Sequence, residues 1–124
     1  MATLITNGGK GVVTAALNAY ASAPKYAGWG TGSGQTATST ALATESTETS
    51  TTKVTGTPSV VTTTTTNDTY RVVALITASG TRAITESATF TAASAGSMFL
   101  YGDFSVINLS SGDSIEFTYD TRVS

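Results

Sequence analysis

Eight carboxylates, with no histidine and no cysteine, set the chemistry this chain can attempt. Without imidazole or thiol, nucleophile-and-imidazole arrangements and the common zinc sites are excluded. Asp103, Asp113, Glu116 and Asp120 lie close together, and Asp103 and Glu116 fall on one polar face of an expected hairpin. Such a pair can hydrolyse a glycosidic bond or hold calcium. Hydrolysis requires a carboxyl of raised pKa in a cleft, and calcium requires a loop with several closely spaced oxygen ligands. Neither pattern is present in the sequence, so the expectation is no enzyme, no metal and no cofactor. Glu86 shares a row with Ile84 and Phe90, a position where a carboxylate can be buried and perturbed. With Arg71 and Arg82 as neighbouring cations, it reads as an ion pair or a strand-end charge. Gly28, Gly30 and Gly32 lack the rest of a dinucleotide fingerprint, no Lys-Ser or Lys-Thr pair follows them, and no helix opens at their end. They read as a twisted strand with a tight exit beside Trp29.

The elements that would position these residues are strands. The charged fraction is 11%, against roughly 25% in an average soluble protein. Threonine and serine fill the difference, and threonine suits strands. With 124 residues, the chain reads as a single domain, 1–124, able to bury roughly two thirds of its unfolded surface. The fold class expected is mainly β, an antiparallel β-sandwich with one short N-terminal helix. A net charge of −2 argues against a nucleic-acid partner. No stretch approaches the roughly 18 apolar residues that span a bilayer, so no membrane partner is expected. The opening MATLITNGGKGVV has no basic region followed by a long apolar core, so the expectation is a chain made and left in the cytoplasm.

In chain order, Thr3 to Thr6 is a short apolar segment, either an edge strand or an arm against a neighbour, and Asn7-Gly8-Gly9 breaks it. Val12, Val13, Ala16, Leu17 and Tyr20 recur at helical spacing between Lys10 and Ser22, with Pro24 as a stop, so arm and helix occupy about 1–23. This helix is expected to pack its apolar stripe on the sheet. A strand follows around Trp29, then a polar stretch from Ser33 to Thr57, read as a long ordered loop with a strand from about Thr49 to Thr55. Val60 to Thr66 and Thr69 to Ser79 bracket Asn67-Asp68 as a tight hairpin that pairs Val61 with Ala74, and the second strand, apolar on both rows, belongs at a sheet centre. Arg82 to Thr91 alternates as a further strand. The stretch from Gly96 to Tyr119 reads as a hairpin in which Ile107 pairs with Ser114 and Phe104 with Phe117.

The successive segments PKYAGWGTG, TALATE, TNDTYRVV, AITESATF and GSMFLYGDFSVINLSSGDSIEFT resemble, in that order, those of a family of small tailed-phage virion structural proteins. The resemblance implies a β-sandwich-like virion component, a capsid decoration or cement protein, and carries no catalytic residues. Its Thr-rich stretch from Ser46 to Thr57 matches least. The function expected is therefore binding to the major capsid protein or other virion proteins, as a homo-oligomer for which a trimer suits a three-fold junction. The apolar arm with Leu4 and Ile5, and the aromatic pair Phe99 and Tyr101 on the hairpin's polar face, are the candidate partner contacts. A charge at Tyr101 is expected to weaken particle binding more than it lowers the melting temperature. The alternative reading is a fibre, receptor-binding or glycan-binding module of the phage head or tail that uses Trp29 and the Thr-rich loop.

Overall fold

A computed structural model describes residues 1–48 and 53–124. The chain is mainly β, with one helix and two antiparallel sheets facing each other as a sandwich. Helix α1 spans Asn7–Ala19. The strands are β1 (Tyr26–Gly30), β2 (Glu45–Ser46), β3 (Val54–Thr55), β4 (Thr57–Val61), β5 (Thr69–Thr77), β6 (Arg82–Phe90), β7 (Met98–Leu109) and β8 (Ser114–Arg122). One sheet runs β2-β1-β6-β7 with β3 also on β1; the other runs β4-β5-β8.

The helix starts earlier than its apolar spacing indicates. Asn7-Gly8-Gly9 opens it instead of breaking the chain, because the Thr6 hydroxyl accepts the Gly9 N–H at 3.1 Å and caps the first turn. Nor does α1 bury its stripe on the sheet. Thr14 is its one buried residue, and the Thr14 hydroxyl donates to the Asn67 carbonyl at 2.7 Å. That polar contact fixes the helix to the loop before β5 and leaves Val12 and Val13 in water.

The loop between β4 and β5 replaces the expected tight hairpin. Val61 pairs with Thr69, not Ala74, because the buried Asp68 carboxylate gathers the chain around itself. It accepts the N–H groups of Thr63, Thr64 and Thr65 and the hydroxyls of Thr63 and Thr69. A larger loop satisfies that carboxylate in a way a two-residue turn cannot, and Asn67 supplies its single left-handed residue, at φ 56°. Strand β5 does take a sheet centre, but beyond the buried Thr69 only its Tyr70, Val72, Ala74 and Ile76 row is buried, while Leu75 on the other row is 58% exposed.

The Gly96–Tyr119 segment forms both expected strands and the expected turn, but not the hairpin. β7 pairs with β6 and β8 pairs with β5, so the Ser110–Asp113 turn is an arch that carries the chain from one sheet to the other. The turn is held by Asp113, whose carboxylate accepts the Ser110 N–H at 2.8 Å, and it docks on the end of β5 through reciprocal backbone bonds with Ala78. Placing β8 beside β5 aligns Ile115 with Ile76, Phe117 with Ala74 and Tyr119 with Val72 facing the core, and sets Asp120 against Arg71 outside. Phe104 and Phe117 still meet, at 6.1 Å between ring centroids, but across the two sheets.

Trp29 lies fully buried between the sheets, edge-on to Phe117 at 6.4 Å, with Ala27, Ile76, Ile84 and Leu109 around it. A second apolar cluster of Leu42, Ala88 and Phe90, with Tyr26, Met98 and Tyr101, fills the opposite face of the larger sheet. There the polar stretch after Gly30 lies across the strands. The expected strand from about Thr49 begins outside the described residues, but Val54 and Thr55 pair with Ala27 and Tyr26.

Candidate functional site: an open apolar groove beside a carboxylate-held loop

Glu86 is fully buried and has no arginine beside it; Arg71 pairs with Asp120, and Arg82 with Glu48. The ion-pair reading therefore gives way to a different arrangement. Glu86 accepts the N–H of Thr44 at 2.8 Å, of Ala43 at 3.0 Å and of Gly32 at 3.2 Å, and the Tyr101 hydroxyl at 2.9 Å. Burial pushes its carboxyl pKa up, but the Thr44, Ala43, Tyr101 and Gly32 donors together bring it below the ordinary value. Such a group stays ionised and holds no proton to give, so it acts as a staple for the loop and not as an acid catalyst.

The three alternating glycines make that staple possible. A Cβ on Gly30 would collide with the Thr44 carbonyl and the Glu86 carboxylate, and one on Gly32 would come within 2.6 Å of Ala43. Their role is the close approach of the 42–45 segment to β1. Glu48 forms a second staple. It accepts the indole N–H of Trp29 at 3.3 Å, the Ser79 N–H at 2.9 Å and the Arg82 guanidinium at 3.0 Å. Burial raises its pKa, and the Ser79, Arg82 and Trp29 bonds outweigh that and lower it.

The hairpin carboxylates do not form a site. Asp103 and Glu116 lie in different sheets; Asp103 accepts the Gly34 N–H at 3.1 Å, Asp113 holds its turn, and Asp120 is bidentate to Arg71. Among the described residues no three of them converge as a metal cage would require. The Trp29 ring is wholly buried and offers no platform to a sugar.

One of the open grooves is apolar. α1 stands off the sheets so that Val13, Ala16, Leu17 and Tyr20 form one wall of a groove of about 420 Å³, with Tyr70, Phe99 and Val123 opposite. Phe99 reaches this groove because β7 is irregular there: Leu100 pairs with Thr89 and Met98 with Phe90, leaving Phe99 between ladder partners. It is 39% exposed. Tyr101 instead joins Met98 in the cluster under the loop, half-buried, its hydroxyl committed to Glu86. A charge at Tyr101 consequently acts first on the fold. Leu4 and Ile5 are 81% and 48% exposed in the arm ahead of α1.

Of the four candidate contacts, the structure thus brings only Phe99 to the groove, and leaves Leu4 and Ile5 free at the start of the helix. Besides the buried Tyr70 and the half-buried Val123 opposite, the groove is lined by Val13, Leu17 and Tyr20, which sequence reasoning missed as surface. Their apolar spacing along the helix was legible, but identical spacing serves a buried stripe, and only the Thr14–Asn67 contact distinguishes the two cases. No helix is long and apolar enough to cross a membrane among the described residues. No family model, curated protein or solved structure matches the chain.

Proposed function

We propose that the protein is a non-enzymatic virion structural protein of a tailed phage, a decoration or cement protein that adheres to the major capsid protein lattice. The observation that carries the reading is the apolar end built from the arm and α1, where Met1, Leu4, Ile5, Val12, Val13 and Tyr20 are all exposed. A solvent-exposed apolar patch beyond a few hundred Å² marks an interaction surface. Its side chains bring shape and apolar area without charge, since Lys10 is the one charged side chain before Lys25. The kind of partner is taken from the resemblance of the strand and turn segments, in their order, to those of small tailed-phage virion proteins. The carboxylate-stapled loop gives such a protein a rigid body from which to present that end.

The test is co-sedimentation with particles of the source phage that lack the protein, with host envelopes as the comparison. Saturable binding at a fixed ratio to the major capsid protein, weakened about tenfold or more by Val12→Asp, is the expected result. Retention on envelopes with no binding to particles overturns the reading.

A further inference from the structure

We infer that the groove between α1 and Phe99 receives the N-terminal arm of a second copy of this chain. The inference rests on the reading of this end as adhesive and names one partner for it. Both halves of the contact belong to one chain, but a chain's own arm does not reach the middle of its own groove. Leu4 is two residues from Thr6 and so stays within about 7 Å of it, whereas Leu17 at the groove's centre is ~16 Å along the helix axis from Thr6. A molecule's own Leu4 and Ile5 therefore fall short of the centre of its own groove and come no further than its near end at Val13, ~10 Å from Thr6. The same pair from a neighbour has no such limit.

Area and charge fit this occupant. Met1, Leu4, Ile5, Val13, Tyr20 and Phe99 are exposed at 115, 81, 48, 44, 60 and 39%, which together leaves several hundred Å² of apolar side chain in water. That approaches the ~800 Å² each partner contributes to a stable interface. Two copies meeting here bring no row of like charges together, because the arm and helix hold only Lys10 besides the chain's amino group. In the arm, the first described backbone bond is the one that starts the helix, from Lys10 N–H to the Thr6 carbonyl. Val12, 70% exposed, is not among the groove-lining residues and stays available to another surface.

Sedimentation equilibrium of the full chain reads the contact. The wild type is expected to self-associate, and Leu4→Asp in the arm and Tyr20→Asp in the groove are each expected to raise the dissociation constant about tenfold or more. Both sites are exposed, so thermal melts of the two variants should match the wild type at concentrations where all are monomeric. Mixing the variants pairs an intact arm with an intact groove, so the mixture should associate more tightly than either variant alone. A wild type that stays monomeric at tens of micromolar overturns the inference, as does association indifferent to Leu4→Asp or a mixture that recovers nothing. Val12→Asp should leave self-association unchanged while weakening particle binding. Self-association without particle binding thus fails the decoration reading alone, and particle binding by a monomer fails the arm exchange alone.

Discussion

Glu86 lies where the 32–44 loop, β6 and β7 meet, and substitutions there separate its partners. Glu86→Gln keeps the size but points an amide N–H₂ at backbone donors, leaving at least one of Gly32, Ala43 or Thr44 unpaired. The expected loss is about 2–3 kcal/mol, or roughly 10 °C in melting temperature for a domain of this size. Tyr101→Phe removes one donor of four and should cost about 1 kcal/mol, and less in the Glu86→Gln background. Thermal melts of the two single variants and the double variant check this; a Glu86→Gln protein that melts with the wild type removes the staple. Glycine positions divide in the same manner. Gly30→Ala should cost about 3 kcal/mol by overpacking against Thr44 and Glu86, while Gly102→Ala, with open space around it, should stay within about 0.5 kcal/mol in the same melts.

At the scale of elements, α1 is the weakest attachment. A helix of 13 residues is marginal alone, and this one is tied down by the Thr14 hydroxyl more than by apolar burial. Thr14→Val should therefore strip amide-exchange protection from α1 while β5 and β6 keep theirs; equal protection in both would show that another contact holds the helix. Strands were the legible elements. β6, β7 and β8 follow their alternation of apolar and polar residues, and β5 its run apolar on both rows, because these patterns are local to each strand. Pairing was legible only for β4 beside β5, and there out of register. Phe104 and Phe117 suit a hairpin and a cross-sheet contact equally, and the choice was made by β5, whose buried row needed Ile115, Phe117 and Tyr119 beside it. Likewise Asn67-Asp68 reads as a two-residue turn until the Asp68 carboxylate is seen to collect donors from Thr63 to Thr69.

For the whole molecule, three internal carboxylates hold loops to the sandwich, and all three titrate below their ordinary values. For Asp68 the Thr63 N–H is the main cause, with burial opposing it and Thr65, Thr69 and Thr64 adding to it. Glu48 and Glu86 are lowered despite burial, as described above. In the unfolded chain these groups return to 4.5 for the glutamates and 3.8 for the aspartate. A carboxyl depressed in the fold stabilises it fully above the unfolded value and loses that contribution as pH falls through the folded one. Stability should thus be flat around neutrality and decline as pH drops below 4.5, with the 32–48 loop and the Thr63–Asp68 loop loosening first. The alkaline limit comes from tyrosines that burial raises, Tyr70, Tyr101 and Tyr119, the last up to about 12 with the Ser87 bond opposing; the Tyr119 contribution is present below 10 and lost as pH rises toward 12. Chemical denaturation across the pH range reads both flanks, and a midpoint unchanged from neutrality to about pH 3 would count against the carboxylate account. At this scale the sandwich was legible from composition and alternation, whereas the groove was not, because it exists only where two elements fail to close on each other.

The arch between β7 and β8 also governs how the molecule must form. A terminal hairpin would have offered a quick local nucleus, but β8 instead waits for β5 and β1 for β6, so Thr69 must find Arg122 and Tyr26 must find Phe90 across about half of the chain. Closing such distant pairs costs loop entropy before any contact repays it, and topologies of this kind fold in milliseconds to seconds, not microseconds. During that interval the apolar row of β5 is uncovered. Crowded synthesis would then favour capture by neighbouring chains, so yield of the native protein should depend on its concentration during refolding even though the finished fold is stable.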